Sequence, residues 1–178
     1  ALRTAATSAM AAAVLARPGA RTMALIGTGA QAEYQALAFK ACLGIVTVRY
    51  FDTDARAMAK FRANLHGSGL ELRACRDARE AVKGRQVVLA DPWVAPGVHV
   101  NGIGGDCPGK TELDPALLRR ARVFVEFLPQ SRVEGEIQSL GAHAEPVELW
   151  QVLAGRAPGR TSERDVTVFD SVGFALED

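Results

Sequence analysis

Met23-Ala24-Leu25-Ile26-Gly27-Thr28-Gly29-Ala30-Gln31-Ala32 joins a short apolar run to a glycine-rich turn and then to an amphipathic stretch, Gln31 to Cys42. Strand, turn and helix in that order are the setting a G-x-G-x-x-G/A fingerprint requires. Gly27 permits the tight turn, Gly29 lets a pyrophosphate approach the backbone, and Ala32 takes the third small position, keeping helix and strand close. The unpaired N–H groups and dipole of the helix start then favour an anion. Asp52 follows the next apolar run, Val46 to Phe51, where a carboxylate can accept from the adenosine ribose hydroxyls and repel a 2′-phosphate. The stretch therefore predicts a dinucleotide site that prefers NAD to NADP.

Outward from this stretch, short apolar runs keep alternating with helical ones. Ala55 to Leu65 reads as a helix, and Leu70 to Ala74, Gln86 to Leu89, Val98 to Asn101, Val123 to Phe127 and Val166 to Phe169 read as strands. This order predicts an α/β fold, Rossmann-like and doubly wound, with a mainly parallel sheet and helices on both faces. Before it, the alanine-rich run Thr4 to Leu15 reads as a helix that stops at Pro18-Gly19. The expected division is a linking helix over 1–21 and an NAD-binding domain over 22–178, with Gly155 to Ser162 as a surface loop.

Composition narrows the function. The chain has 178 residues, 48% of them hydrophobic, enough for one domain with a sizeable core. A formal net charge of +1, with both signs interspersed, gives no footprint for nucleic acid or anionic lipid. The alanine-rich start lacks the basic run and cleavage site of a signal peptide, and no segment approaches the roughly 20 apolar residues that span a bilayer. Cys42, Cys75 and Cys107 are too few and too scattered for a disulfide framework or a metal site, so no metal is expected and a cytoplasmic location is. His66, His99 and His143 are scattered and receive no role.

Gly104-Gly105-Asp106-Cys107-Pro108-Gly109-Lys110-Thr111 spells a Walker A pattern, G-x-x-x-x-G-K-[ST]. A phosphate-binding loop needs a helix to begin at the Gly-Lys-Thr, but the next start signal is Asp114 followed by Pro115. Asp106 would repel a triphosphate, and Pro108 removes a donor amide. The nucleotide-hydrolysing reading is disfavoured.

Beyond this loop the chain is polar where burial is expected: Val125-Glu126-Phe127, Gln130 to Gln138, and Asp170-Ser171-Val172-Gly173. Such groups need partners from one another or from a ligand. Arg3-Thr4-Ala5-Ala6, Gly27-Thr28-Gly29-Ala30-Gln31, Gly104 to Leu113, Glu134-Gly135-Glu136-Ile137-Gln138 and Phe169 to Ala175, taken in order, resemble the ornithine cyclodeaminase and mu-crystallin family. The Gly-Gly-Asp-Cys-Pro-Gly-Lys-Thr-Glu-Leu version is similar to its ornithine cyclodeaminase branch.

The resemblance implies an NAD-dependent lyase that converts L-ornithine to L-proline and ammonia without net redox change. A hydride leaves Cα for NAD⁺, the side-chain amine attacks the imine, ammonia departs, and the hydride returns to the cyclic imine. It implies Asp106 as the catalytic carboxylate, able to take and return the proton. Arg3 would clamp the substrate carboxylate, and Val172 would touch the substrate through its main chain. Ala30, Gln31, Asp52, Ile103, Gly104, Gly105, Lys110 and Ser171 would contact NAD beside Gly27 and Gly29. Glu134 and Glu136, which could pass for an acid/base pair, read better as structural hydrogen-bonding groups. The family pattern also places a substrate and dimerisation domain before Arg3, implying a homodimer when it is present, and a longer loop where this chain has Val87 to Gly97. Without that domain, binding of NAD but no turnover is expected. The alternatives are an amino-acid dehydrogenase or imine reductase of the same family, or a mu-crystallin-like NAD(P)-dependent binding protein with little turnover.

Overall fold

The computed structural model describes residues 1–81, 91–105 and 107–173. The strand expected at Gln86 to Leu89 and the carboxylate of Asp106 lie outside the described residues. The chain divides into two compact units, Ala1–Ala13 with Pro18–Val87, and Val14–Arg17 with Val88–Asp178. The span 22–178, expected as one domain, thus falls across both.

The first unit begins with α1 (Leu2–Leu15), most of which belongs to it, and continues through β1 (Thr22–Ile26), α2 (Ala32–Leu43), β2 (Thr47–Phe51), α3 (Ala55–Asn64), β3 (Glu71–Ala74) and the short α4 (Ala78–Ala81). Its strands lie in the order β1-β2-β3, all parallel, with Ile26 opposite Phe51 and Tyr50 opposite Ala74. Parallel neighbours require helical crossovers, which α2 and α3 supply. Gly44 ends α2 at φ 72°, returning its N–H to Lys40 at 3.1 Å, a left-handed cap that suits glycine. Asp54 caps the start of α3 by accepting from the Arg56 N–H at 2.8 Å. Phe61 then buries fully against Tyr50, ring centroids 4.9 Å apart.

The second unit holds β4 (His99–Gly102), α5 (Pro115–Arg120), β5 (Arg122–Val125), α6 (Leu128–Glu134), a 3-10 segment Glu136–His143, β6 (Val147–Glu148), α7 (Leu149–Leu153) and β7 (Thr167–Asp170). Its strand order is β4-β7-β5-β6, again parallel throughout. β7 is flanked on both sides and buried at every position, which accounts for its continuous Val168-Phe169 core. Its one early polar residue, Thr167, donates to the Leu15 carbonyl at 2.8 Å and accepts from Arg160 at 3.0 Å, while Arg160 Nε donates to Leu15 at 2.9 Å. The C-terminal turn of α1 is thereby built into this unit.

The α/β class with parallel sheets stands as expected, and the described strands match the apolar runs to within a few residues. β6 and α6 were not read from the sequence.

Candidate functional site

Parallel sheets place ligands beyond the carboxyl ends of their strands. In the first unit, Gly27 follows β1 and Asp52 follows β2. Gly27 takes φ 82° and donates its N–H to Phe51 at 3.0 Å, tying the turn to the neighbouring strand end. Asp52 Oδ2 accepts from the Thr28 N–H at 2.6 Å and the Thr28 hydroxyl at 3.0 Å, while Oδ1 accepts from the Asp54 N–H at 3.0 Å. Burial alone would raise the pKa of Asp52, but the donors of Asp54, Thr28 and Thr53 together outweigh it and hold the carboxyl below the usual range. Asp52 is therefore ionised at neutral pH and holds the two loops together.

The ground above the turn is clear. A Cβ added at Gly29 would meet nothing within 4 Å, and Gln31 makes no side-chain cap at the start of α2. Ala32 is buried beneath, so helix and strand are close, while Ala30 and Gln31 are exposed. An anion can approach this backbone without displacing a side chain.

In the second unit, Ile103 follows β4 and Ser171 follows β7, which are paired neighbours. The Ser171 N–H donates to the Gly102 carbonyl at 2.9 Å. The loop from Ile103 to Leu113 is held from outside itself. Glu136, fully buried, accepts from the Glu112 N–H with both oxygens at 2.9 Å and from the Leu113 N–H at 2.8 Å. Gln138 accepts from the Gly109 N–H at 2.7 Å and donates to the Lys110 carbonyl at 3.0 Å. Glu134 accepts from Gln130 at 3.2 Å. Both glutamates therefore make structural hydrogen bonds, and neither is placed as an acid/base pair.

Asp170 completes this arrangement. It is fully buried at the end of β7 and accepts from the Ile137 N–H at 3.1 Å through Oδ2, while Oδ1 makes no hydrogen bond among the described residues. Desolvation pushes its pKa up to about 6, against the lowering effect of the Glu136 and Ile137 N–H groups. Glu136 is likewise raised, first by burial and further by the charges of Asp170 and Glu112.

The described candidates thus form two groups. Arg3, exposed in the first turn of α1, Gly27, Gly29, Ala30, Gln31 and Asp52 belong to the first unit. Ile103, Gly104, Gly105, the exposed Lys110, the buried Ser171 and Val172 belong to the second. Asp106 lies outside the described residues. No helix begins at Gly109-Lys110-Thr111; α5 starts at Pro115, with Asp114 accepting from the Ala116 N–H at 2.8 Å. The Walker A spelling lacks its structure. Gln138 and Asp170 went unassigned in the sequence, although their polarity in buried surroundings was the available signal. Among the described residues no three His, Cys, Asp or Glu side chains are grouped to hold a metal, and no helix is long and apolar enough to cross a membrane.

A family model described as ornithine cyclodeaminase/mu-crystallin family matches residues 1–178. The chain belongs to the ornithine cyclodeaminase/mu-crystallin family. Within this family, it is 51% identical over 190 residues to an ornithine cyclodeaminase of Agrobacterium fabrum, covering 100% of this chain and 54% of the relative. The chain thus spans about half the length of that curated relative. Among solved structures, an archaeal alanine dehydrogenase dimer with bound NAD superposes with a TM-score of 0.87 at 31% identity, over 98% of this chain and 59% of that one. A lysine cyclodeaminase solved to explain recognition of L-lysine, L-ornithine and L-2,4-diaminobutyric acid gives 0.83 at 34% identity, over 98% and 54%. In this family member, Gly27-Thr28-Gly29, the Gly104 to Leu113 loop and Ser171 to Gly173 each follow the carboxyl end of a parallel strand.

Proposed function

We propose that this chain is the dinucleotide-binding part of an NAD-dependent ornithine cyclodeaminase, which converts L-ornithine to L-proline and ammonia. The observation that carries the reading is 51% identity to an ornithine cyclodeaminase across the whole of this chain. The residues fit NAD: the ground over Gly29 is open, the start of α2 is uncapped by its own Gln31, and the ionised Asp52 disfavours a 2′-phosphate. When bound, NAD⁺ supplies the acceptance and return of a hydride.

The chain's own residues supply position and protons. In this reading Gly27, Gly29, Ala30, Gln31 and Asp52 hold the adenosine and pyrophosphate end, while Ile103, Gly104, Gly105, Lys110 and Ser171 hold the remainder. Arg3 receives the substrate carboxylate through its planar fork, and the Val172 main chain borders the substrate. Asp106 takes a proton from the reacting amine and returns one to departing ammonia. The complete protein is a homodimer in this reading, with the substrate pocket finished by residues outside this chain.

A second reading, an amino-acid dehydrogenase with net hydride transfer, draws on the likeness to alanine dehydrogenase at 31% identity. Supplying L-ornithine and NAD⁺ to the complete protein separates the two. Proline and ammonia without accumulating NADH support the cyclodeaminase; lasting NADH supports the dehydrogenase, and tight NAD binding without turnover a binding protein.

A further inference from the structure

The loop that spells out a phosphate-binding motif is held from outside itself by one carboxylate, Glu136, and one carboxamide, Gln138. Glu136 grips it at Glu112 and Leu113, and Gln138 grips it at Gly109 and Lys110, so Asp106 lies in a stretch bounded by anchors on its C-terminal side and by β4 on its N-terminal side. Gly105 and Gly102 sit close beneath Glu136: added Cβ atoms would come within 3.2 Å of Oε1 and 3.3 Å of Cγ. On its other side, the segment that carries Glu136 starts at Gly135 against Asp170. A Cβ on Gly135 would fall 2.5 and 2.9 Å from the two Asp170 oxygens and 2.8 Å from the Ser131 carbonyl. Only glycine lets this carboxylate reach the Ile137 N–H.

We propose that Asp170 and Glu136 are a pair of positioning residues, which lock the loop carrying Asp106 to the end of β7 that carries Ser171 and Val172. The inference rests on reading that loop as catalytic. Fold stability alone gives no reason for the pair. Burying two carboxylates near each other is costly, and among the described residues Oδ1 of Asp170 is buried without a hydrogen bond. What the pair provides is stiffness: their oxygens accept from backbone N–H groups of segments far apart in the sequence and so tie them to each other. Each bond runs to main chain, so the anchors act on the course of the loop, while the side chains of Cys107, Lys110 and Thr111 are exposed.

The two carboxylates differ in what they tolerate. At Asp170, an asparagine keeps the acceptor for Ile137 and puts its amide nitrogen where Oδ1 makes no hydrogen bond among the described residues. At Glu136 both oxygens accept, so a glutamine turns an N–H₂ group toward the Glu112 N–H. In the complete protein, Asp170→Ala and Glu136→Gln are expected to lower kcat for proline formation about tenfold to a hundredfold, as misplacement of a reacting group does. KM for ornithine and NAD⁺ stays within about threefold, and Asp170→Asn recovers most of the rate. A merely structural role would lower the melting temperature but leave kcat per NAD-binding site unchanged, and that outcome overturns the proposal.

Hydrogen exchange keeps the inference testable if Asp170→Ala does not fold. Amides of Glu112 and Leu113 should exchange faster in Glu136→Gln than in Asp170→Asn; equal protection in both variants and the parent also overturns it. If the unmutated protein binds NAD⁺ yet makes no proline, the cyclodeaminase reading fails, and the exchange pattern still decides whether the pair holds the loop.

Discussion

Individual residues of the nucleotide turn separate by what surrounds them. Gly29 has open space above it and an ordinary φ, whereas Gly27 sits at φ 82°. Gly29→Val is therefore expected to leave the melting temperature unchanged and to abolish NAD⁺ binding by calorimetry, because the side chain fills the approach. Gly27→Ala, by contrast, lowers stability by about 1 kcal/mol through backbone strain. Asp52→Asn keeps an acceptor for Thr28 and removes the charge, so the ratio of NADP⁺ to NAD⁺ affinity should rise; an unchanged ratio would remove Asp52 from the ribose site. His99 predicts a pH dependence. Burial holds its pKa down to about 4, while its ring lies 2.9 Å from Thr167 Oγ1 and 3.0 Å from Asn101 Oδ1. Above about pH 6.5 both folded and unfolded states are neutral; as pH falls from there to 4 only the unfolded chain takes the proton, and stability drops by up to ~3 kcal/mol. Asp170 runs the other way: its raised pKa favours the fold below about 4, a contribution lost as pH rises through about 6. Asp170→Asn should thus melt higher than the parent at pH 7.5 and alike at pH 4, and His99→Gln should flatten the acid side of the stability curve.

Secondary-structure elements were legible where a local signal marks them. Asp114-Pro115 announces α5, and the structure begins it there; Asp114→Ala should lower the melting temperature with no change in NAD⁺ affinity. The apolar runs gave the long strands because parallel strands buried on both faces must be continuously apolar. β6 escaped because it has two residues. Its Glu148 works through a side chain, accepting from the Leu128 N–H at 3.0 Å and from Trp150 at 2.9 Å, which periodicity does not record. The candidate site divided the same way. Glycine turns and strand-end residues carry their geometry in the local sequence, so Gly27, Asp52 and Ser171 could be named. The grip of Glu136 on Glu112 and Leu113 joins residues far apart in the chain, and nothing in either segment alone encodes it.

At the scale of the molecule, charge balance and a largely apolar core suit a small, polar ligand better than a polymer. A ligand that binds only the folded state stabilises it, by about 2.7 kcal/mol at a hundred times its Kd. NAD⁺ is expected to raise the melting temperature and ATP is not, since no helix begins at Gly109-Lys110-Thr111; a rise with ATP alone would restore the Walker A reading. The 178 residues by themselves should bind NAD⁺ without forming proline from ornithine, and detectable proline would show that they hold a complete pocket. The external anchoring of the Gly104 to Leu113 loop also bears on how such a protein can change. It is held by side chains that lie elsewhere in the sequence, so Cys107 and Thr111 can be randomised in a library without redrawing the loop, while Glu136 and Gln138 stay fixed as its frame. New preferences can be selected at those exposed positions with little risk to folding, which makes the loop a place where this scaffold is open to evolution.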